Sequence, residues 1–324
     1  MPTNATLQRT PVVRPPAAPR AGHLSTVLLV VLTALAPMAW GTTYAVTTEL
    51  LPPDHPLFAS LMRSLPLGLL AVVITRTLPR GDWWWKVPVL GVLNIGAFFP
   101  LLFITAERLP GGVAATLGAA QPLVVAGLAV VVVGEKASAW RLAWGVAGVV
   151  GVALVVLGPG AGLDVLGIVT GLGGAVTMGV GVTLTKRWGR PAGVGPFTYA
   201  GWLLAGGGLF LLPLVALIEG APPHIDGQGL AGYLWLGTVG GLIAYVLWFR
   251  GIGRLPVTAA ALLALLSPLV AALLGVVLLG ETFTPIQLTG FALALTALVA
   301  GQFNRSFPTL RRLRSGPHRS RPGR

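Results

Sequence analysis

The chain has 324 residues, 54% of them hydrophobic and 10% charged, with a formal net charge of +13 and no cysteine. Soluble domains carry about 25% charged residues, so a soluble globular enzyme is excluded, and disulfide and thiolate chemistry go with the cysteines. A mean hydropathy of +0.82 in long apolar runs describes a polytopic helical membrane protein, whereas a β-barrel would show ~10-residue alternating segments.

The first 23 residues, rich in Pro, Ala and Arg, read as a disordered cytoplasmic tail. They do not read as a signal peptide, because the apolar run behind them is too long and no small-residue cleavage site closes it. Ten apolar segments follow: Val27–Val46, Leu57–Thr75, Val87–Ala106, Gly112–Val133, Ala139–Leu157, Val165–Thr185, Phe197–Ile218, Leu230–Phe249, Val257–Leu279 and Pro285–Phe303. At about 1.5 Å per residue, ~20 residues cross a bilayer. The short connections leave no room for a soluble domain. Residues 305–324 form an Arg/Pro-rich tail expected at the membrane surface.

Loop charges orient the spans. With a cytoplasmic N-terminus, the inner connections hold Arg76, Arg80, Lys86, Lys136, Arg141, Lys186, Arg187, Arg190, Arg250 and Arg254. The outer ones hold Glu49, Asp54, Glu107, Asp164, Glu219, Asp226 and Glu281, with Arg108 the one basic exception. The basic balance therefore belongs to the cytoplasmic face of a bilayer and not to nucleic acid. The protein is expected in the cell (plasma or inner) membrane, multi-pass, with both termini cytoplasmic.

The stretch Arg108 to Glu135 is repeated without a gap as Arg254 to Glu281, with about half its positions identical. Its copies are segments four and nine, and that odd separation turns them in opposite senses. A fainter echo relates Met38, Gly41 and Thr43 to Met178, Gly181 and Thr183. The fold expected is all-α: ten transmembrane helices as two five-helix inverted-topology repeats, 24–160 and 161–304.

Trp40, Gly41, Thr43 and Tyr44 in the first segment, the Arg-Leu-Pro openings, the Gln121-Pro122-Leu123 and Ser267-Pro268-Leu269 triplets and the closing Gly-Glu pairs resemble the drug/metabolite transporter superfamily. The likeness is to its EamA-type family, and within it to the bacterial PecM-like exporter group, over Leu24 to Phe303. It implies secondary efflux of small metabolites through a cavity between the halves and leaves the cargo open.

Arg63 lies inside the second segment, where a charge is costly unless it meets a partner or a wet cavity. It is read as an anion contact for the solute or as a gate. The plainer reading is an ion pair with Glu49 or Glu107, or snorkelling to the interface. Trp40 and Tyr44 share a helix face and are read as a cavity wall, against ordinary packing or lipid contact. Asn94 needs a partner in hydrocarbon, either solute or another helix. Phe98 and Phe99 stand beside it, and Phe99 falls on Tyr245 one repeat later. Tyr245 and Trp248 share a face and are read as cavity lining. Gln121 and Ser267 precede Pro122 and Pro268, whose missing N–H groups break helices at matched depth; the plainer reading is a packing kink.

Gly145–Gly151 and Gly171–Gly181 carry small-residue spacings for close helix approach, within the chain or across a homodimer seam. The four histidines have no metal-ligand spacing, no glycine run has a nucleotide-loop Lys-Ser/Thr, and no nucleophile has a base beside it; no cofactor or metal is expected. The function expected is export of a small organic solute by alternating access, coupled to protons or to exchange. The alternatives are a passive uniporter or channel, a membrane-embedded enzyme and a lipid scramblase.

Overall fold

The computed structural model describes residues 23–109, 117–156, 164–279 and 284–303. Glu281 and Pro110 lie outside them. All regular structure among the described residues is helical, in ten units. The first, α1, is His23–Gly41 continued by Thr43–Leu50, and α2 is Pro56–Thr75. Helix α3 joins Trp83–Gly91, a π-helix Val92–Gly96 and Phe98–Arg108. Next, α4 is Gln121–Leu128 with a π-helix Ala129–Val133, α5 is Ala139–Val156 and α6 is Val165–Trp188. Pro196–Leu214 and a π-helix Val215–Glu219 make α7, while α8 joins Gly227–Gly237, a π-helix Thr238–Ile243 and Ala244–Arg254. Val257–Leu263 and Leu266–Leu279 make α9, and Pro285–Gln302 is α10.

Local chemistry sets these limits. Pro56, Pro196 and Pro285 sit in first turns, where a missing N–H costs nothing. Asp164 and Asp226 cap α6 and α8 by accepting from Gly167 N and Gly229 N, both at 2.7 Å. Gly134 ends α4 with φ of +75°, a left-handed conformation that glycine adopts without strain.

Six helices are long and apolar enough to cross a membrane: Thr26–Leu50, Pro56–Thr75, Trp83–Arg108, Val165–Trp188, Pro196–Glu219 and Gly227–Arg254. The other four expected spans are shorter apolar helices, Gln121–Val133, Ala139–Leu154, Val257–Ala271 and Pro285–Gly301. The start of the fourth expected span falls at residues 110–116, outside the described residues. The ninth is interrupted by a turn at Ala264–Leu265.

Packing runs through small residues, as it must where lipid offers no hydrophobic drive. Helix α2 lies on α7, and α5 lies on α10. At the first crossing, a Cβ on Gly68 would come within 2.7 Å of the Leu204 backbone, and one on Gly208 within 2.7 Å of Leu65. At the second, a Cβ on Gly151 would meet Ala294 N at 2.7 Å. In the two glycine-rich runs read from the sequence, Gly148 and Gly151 face Leu265 and Ala294, and Gly171, Gly179 and Gly181 face Leu117, Val124 and Asn94 of the same chain. Contacts are reciprocal under an exchange of the halves: α3 packs on α6 as α8 packs on α1, and α4 packs on α6 as α9 packs on α1.

The two ends of the bundle differ in charge. Glu107 lies within electrostatic range of Asp54, Glu219, His55 and Arg108, and Arg108 pairs with Asp164 at 3.5 Å. At the other end Arg190 is near Arg254 and Arg250, and Lys86 lies 5.5–5.9 Å from the rings of Trp83, Trp85 and Trp188.

Candidate functional site: a central cavity with one buried cation

A cavity of 80 Å³ lies where α1, α2, α3, α4, α6, α8 and α9 meet. Both halves build it. Trp40, Tyr44, Arg63, Phe98, Gln121, Tyr245, Ser267 and Pro268 of the sequence-predicted set line it. Asn94, Phe99 and Trp248 do not; they are fully buried behind the wall. Pro122 is buried beside Gln121. Glu49 and Glu107 are exposed toward the acidic end.

Arg63 is 1% exposed, the one fully buried charged side chain among the described residues. The expected ion pair with Glu49 or Glu107 is not formed. Instead Nη2 donates to the Gly240 carbonyl at 3.1 Å, and the guanidinium lies 4.4 Å from the centre of the Phe99 ring. Its Nε and Nη1 have no protein partner. Gly240 O also accepts from Trp40 Nε1 at 2.9 Å.

That carbonyl is available because of local helix geometry. Gly240 lies in the π-helix of α8, and Asn94, its repeat equivalent, lies in the π-helix of α3. A π-turn displaces the regular i→i−4 ladder. Asn94 O accepts from Tyr245 Oη at 3.1 Å, so each bulge supplies an acceptor to the wall. Asn94 Nδ2 donates to Leu90 O at 2.8 Å, and its Oδ1 is unpartnered. The amide therefore bridges turns of its own helix and does not face the cavity.

The aromatic residues form one connected group. Trp40 contacts Tyr245 at 5.2 Å and Trp248 at 5.1 Å between centroids, and Phe99 meets Tyr245, its repeat equivalent, at 6.0 Å. Tilted and edge-on rings at these distances attract beyond their area burial. Trp248 holds Trp40 from behind.

The proline breaks are real turns. Ala119–Ala120 precede Gln121, and Ala264–Leu265 precede Leu266. The carbonyls four residues before Pro122 and Pro268 belong to Gly118 and Ala264, both of which line the cavity; Ala264 O is taken by Ser267 N at 3.0 Å. Sequence reasoning missed Leu102, Thr105, Thr170, Gly174, Ala175 and Met178 as lining. Thr105 and Thr170 hydrogen-bond each other at 2.9 Å, but a membrane threonine satisfied by its own helix gives no sequence signal.

At the basic end, side chains bridge the two halves. Glu135, held by Gly134 at the end of α4, accepts from Val257 N at 2.7 Å and Thr258 Oγ1 at 3.0 Å on α9. Arg141 donates to Thr258 Oγ1 at 3.1 Å and stands 3.9 Å from Glu135. Lys186 caps the end of α8 through Ile252 O at 2.9 Å and Leu255 O at 2.7 Å. The cavity lies toward the other end, among Tyr44, Leu102, Thr105 and Thr170, which sit in the turns of their helices nearer the acidic end. Among the described residues no group of three or more His, Cys, Asp or Glu side chains is placed to hold a metal ion.

The EamA-like transporter family model matches the chain twice, over residues 25–157 and 165–300. The chain belongs to the EamA-like transporter family. This EamA protein is 43% identical over 267 residues to Protein PecM of Dickeya dadantii, covering 82% of this chain and 90% of that one. It is 29% identical to a probable terminal-alkyne amino-acid exporter of Streptantibioticus cattleyicolor, over 73% of this chain and 79% of that one. It is 27% identical to the uncharacterized transporter YwfM of Bacillus subtilis, over 82% and 90%. A solved crystal structure superposes on it with a TM-score of 0.69 at 20% identity, over 85% of this chain and 96% of that one, which shows a shared fold. Two of these relatives are named as a transporter and an exporter, and the protein is a multi-pass membrane protein of a transporter family.

Proposed function

We propose that the protein is a secondary active carrier that exports a small organic solute by alternating access of the central cavity. The observation that carries this is a cavity built jointly by the halves, which Glu135, Arg141 and Thr258 bridge at the basic end; in this reading that bridge is the closed gate. In this reading ten spans form two inverted five-helix repeats, 24–160 and 161–304, between cytoplasmic tails in the cell membrane. The reciprocal packing, the double family match and the basic inner connections support it. The family includes a relative named as an amino-acid exporter, which supports outward movement of a metabolite.

Coupling by exchange suits the site better than coupling to protons. The charge on the cavity wall is a guanidinium and not a carboxylate or an imidazole, and an empty carrier would have to re-orient with that cation unpaired. The test compares metabolites inside and outside deletion and overexpressing cells, then measures outward flux of the compound found in vesicles with and without an imposed pH gradient. A compound that accumulates inside on deletion, with flux insensitive to the gradient, is expected. If no compound tracks the gene, the carrier reading fails.

A further inference from the structure

The cavity wall is rich in donors that have nothing to donate to. Arg63 Nε and Nη1, Gln121 Nε2 and Thr43 Oγ1 are buried without a protein partner, and all three residues line the cavity. Arg63 is 1% exposed, Thr43 3% and Gln121 7%. Buried polar groups are nearly always paired, and an orphan asks for an explanation. For a charge the penalty is larger than for a neutral group. The neighbours hold Arg63 in place without neutralising it: Phe99 lies against the guanidinium, and Gly240 O takes one N–H. No carboxylate among the described residues pairs with it. Around these donors the wall is flat and apolar: Trp40, Tyr44, Phe98 and Tyr245.

We propose that the exported solute is an organic anion, a carboxylate or similar oxyanion docked on Arg63, Gln121 and Thr43, with a flat apolar body against Trp40, Tyr44, Phe98 and Tyr245. This rests on the carrier reading above. A cationic solute would be repelled by Arg63, and a neutral one would leave the charge unpaired. A guanidinium with free N–H groups is the residue best shaped for a planar oxyanion. The cavity volume of 80 Å³ is below the ~300 Å³ of sites for drug-sized ligands. The solute is therefore small, or the walls part to admit it.

The test uses the full-length protein in cells and membrane vesicles. Compounds whose export tracks the gene are identified, and export is repeated with Arg63→Gln and Arg63→Lys, with the membrane level of each variant measured. The proposal expects an anion at pH 7, at least tenfold slower export with Arg63→Gln, and partial retention with Arg63→Lys, which keeps the charge and loses the fork. In wild-type vesicles the methyl ester of the compound should compete at least tenfold more weakly than the acid. That arm decides the matter even if Arg63→Gln fails to reach the membrane. A neutral or cationic compound, an ester that competes as well as the acid, or wild-type export by Arg63→Gln overturns the anion proposal and leaves the carrier reading standing. The absence of any compound that tracks the gene overturns both.

Discussion

Replacing Glu135 by alanine should open the basic end of the cavity. The side chain accepts two hydrogen bonds from α9, at 2.7 and 3.0 Å, and faces Arg141 at 3.9 Å. Its side chain is 16% exposed and that of Arg141 is 11% exposed, so water screens these contacts little. Hydrogen bonds to a charged group contribute about 1.5–3 kcal/mol each. Removing the carboxylate also leaves the first N–H of α9, Val257 N, without a cap. Allowing for water that enters the gap, the closed state loses about 3 kcal/mol relative to the open one. At 1.4 kcal/mol per tenfold, the equilibrium moves roughly a hundredfold toward the open end. The chain has no cysteine, so Ser267→Cys places a single thiol in the cavity. A membrane-impermeant methanethiosulfonate applied from the basic side should label it slowly in this background and at least tenfold faster when Glu135→Ala is added. Equal rates would refute the assignment of Glu135 as part of the seal.

Three further outcomes follow from the same contacts. Tyr245→Phe keeps the rings together but loses the hydrogen bond to Asn94 O; thermal unfolding of purified protein should show a loss of about 1 kcal/mol, and an unchanged midpoint would deny the bond a role. Gly68→Val places side-chain atoms against the Leu204 and Ala205 backbone; overpacking costs about 1–3 kcal/mol or more, so membrane accumulation should fall, and normal levels would contradict the close α2–α7 crossing. Glu219→Ala removes the carboxylate that accepts from Leu57 N at 2.7 Å and Phe58 N at 2.8 Å; a loss of about 1–2 kcal/mol should appear in the unfolding midpoint, and no loss would show that this cap is made by water.

The repeat was legible because a duplicated run keeps its register: Phe99 and Tyr245, paired by sequence offset alone, touch in the structure. The apolar segments were readable as helices from the length of their runs, and the turns before Gln121 and Leu266 from the matched prolines. What holds Arg63 was not. Its acceptor is a backbone carbonyl, Gly240 O, and a carbonyl has no signature in a sequence. The π-turns that hold Gly240 and Asn94 have no mark in the sequence either, so the amide of Asn94 drew attention while its carbonyl is the group that meets Tyr245. Likewise Trp248 was placed on the cavity by helix phase, but it lies one layer behind Trp40. Periodicity gives the face of a helix and not the depth of the neighbour that covers it.

The central claim is that the cavity serves a carrier whose two ends do not open together. Counterflow tests it most directly. Vesicles containing the purified protein are preloaded with the compound whose export tracks the gene, diluted, and supplied with a trace of labelled compound outside. A carrier that exchanges should accumulate the label transiently above its equilibrium level, and the overshoot should saturate with concentration. A monotonic approach to equilibrium, accompanied by conductance for the charged solute, would mean a channel open at both ends and would contradict the account.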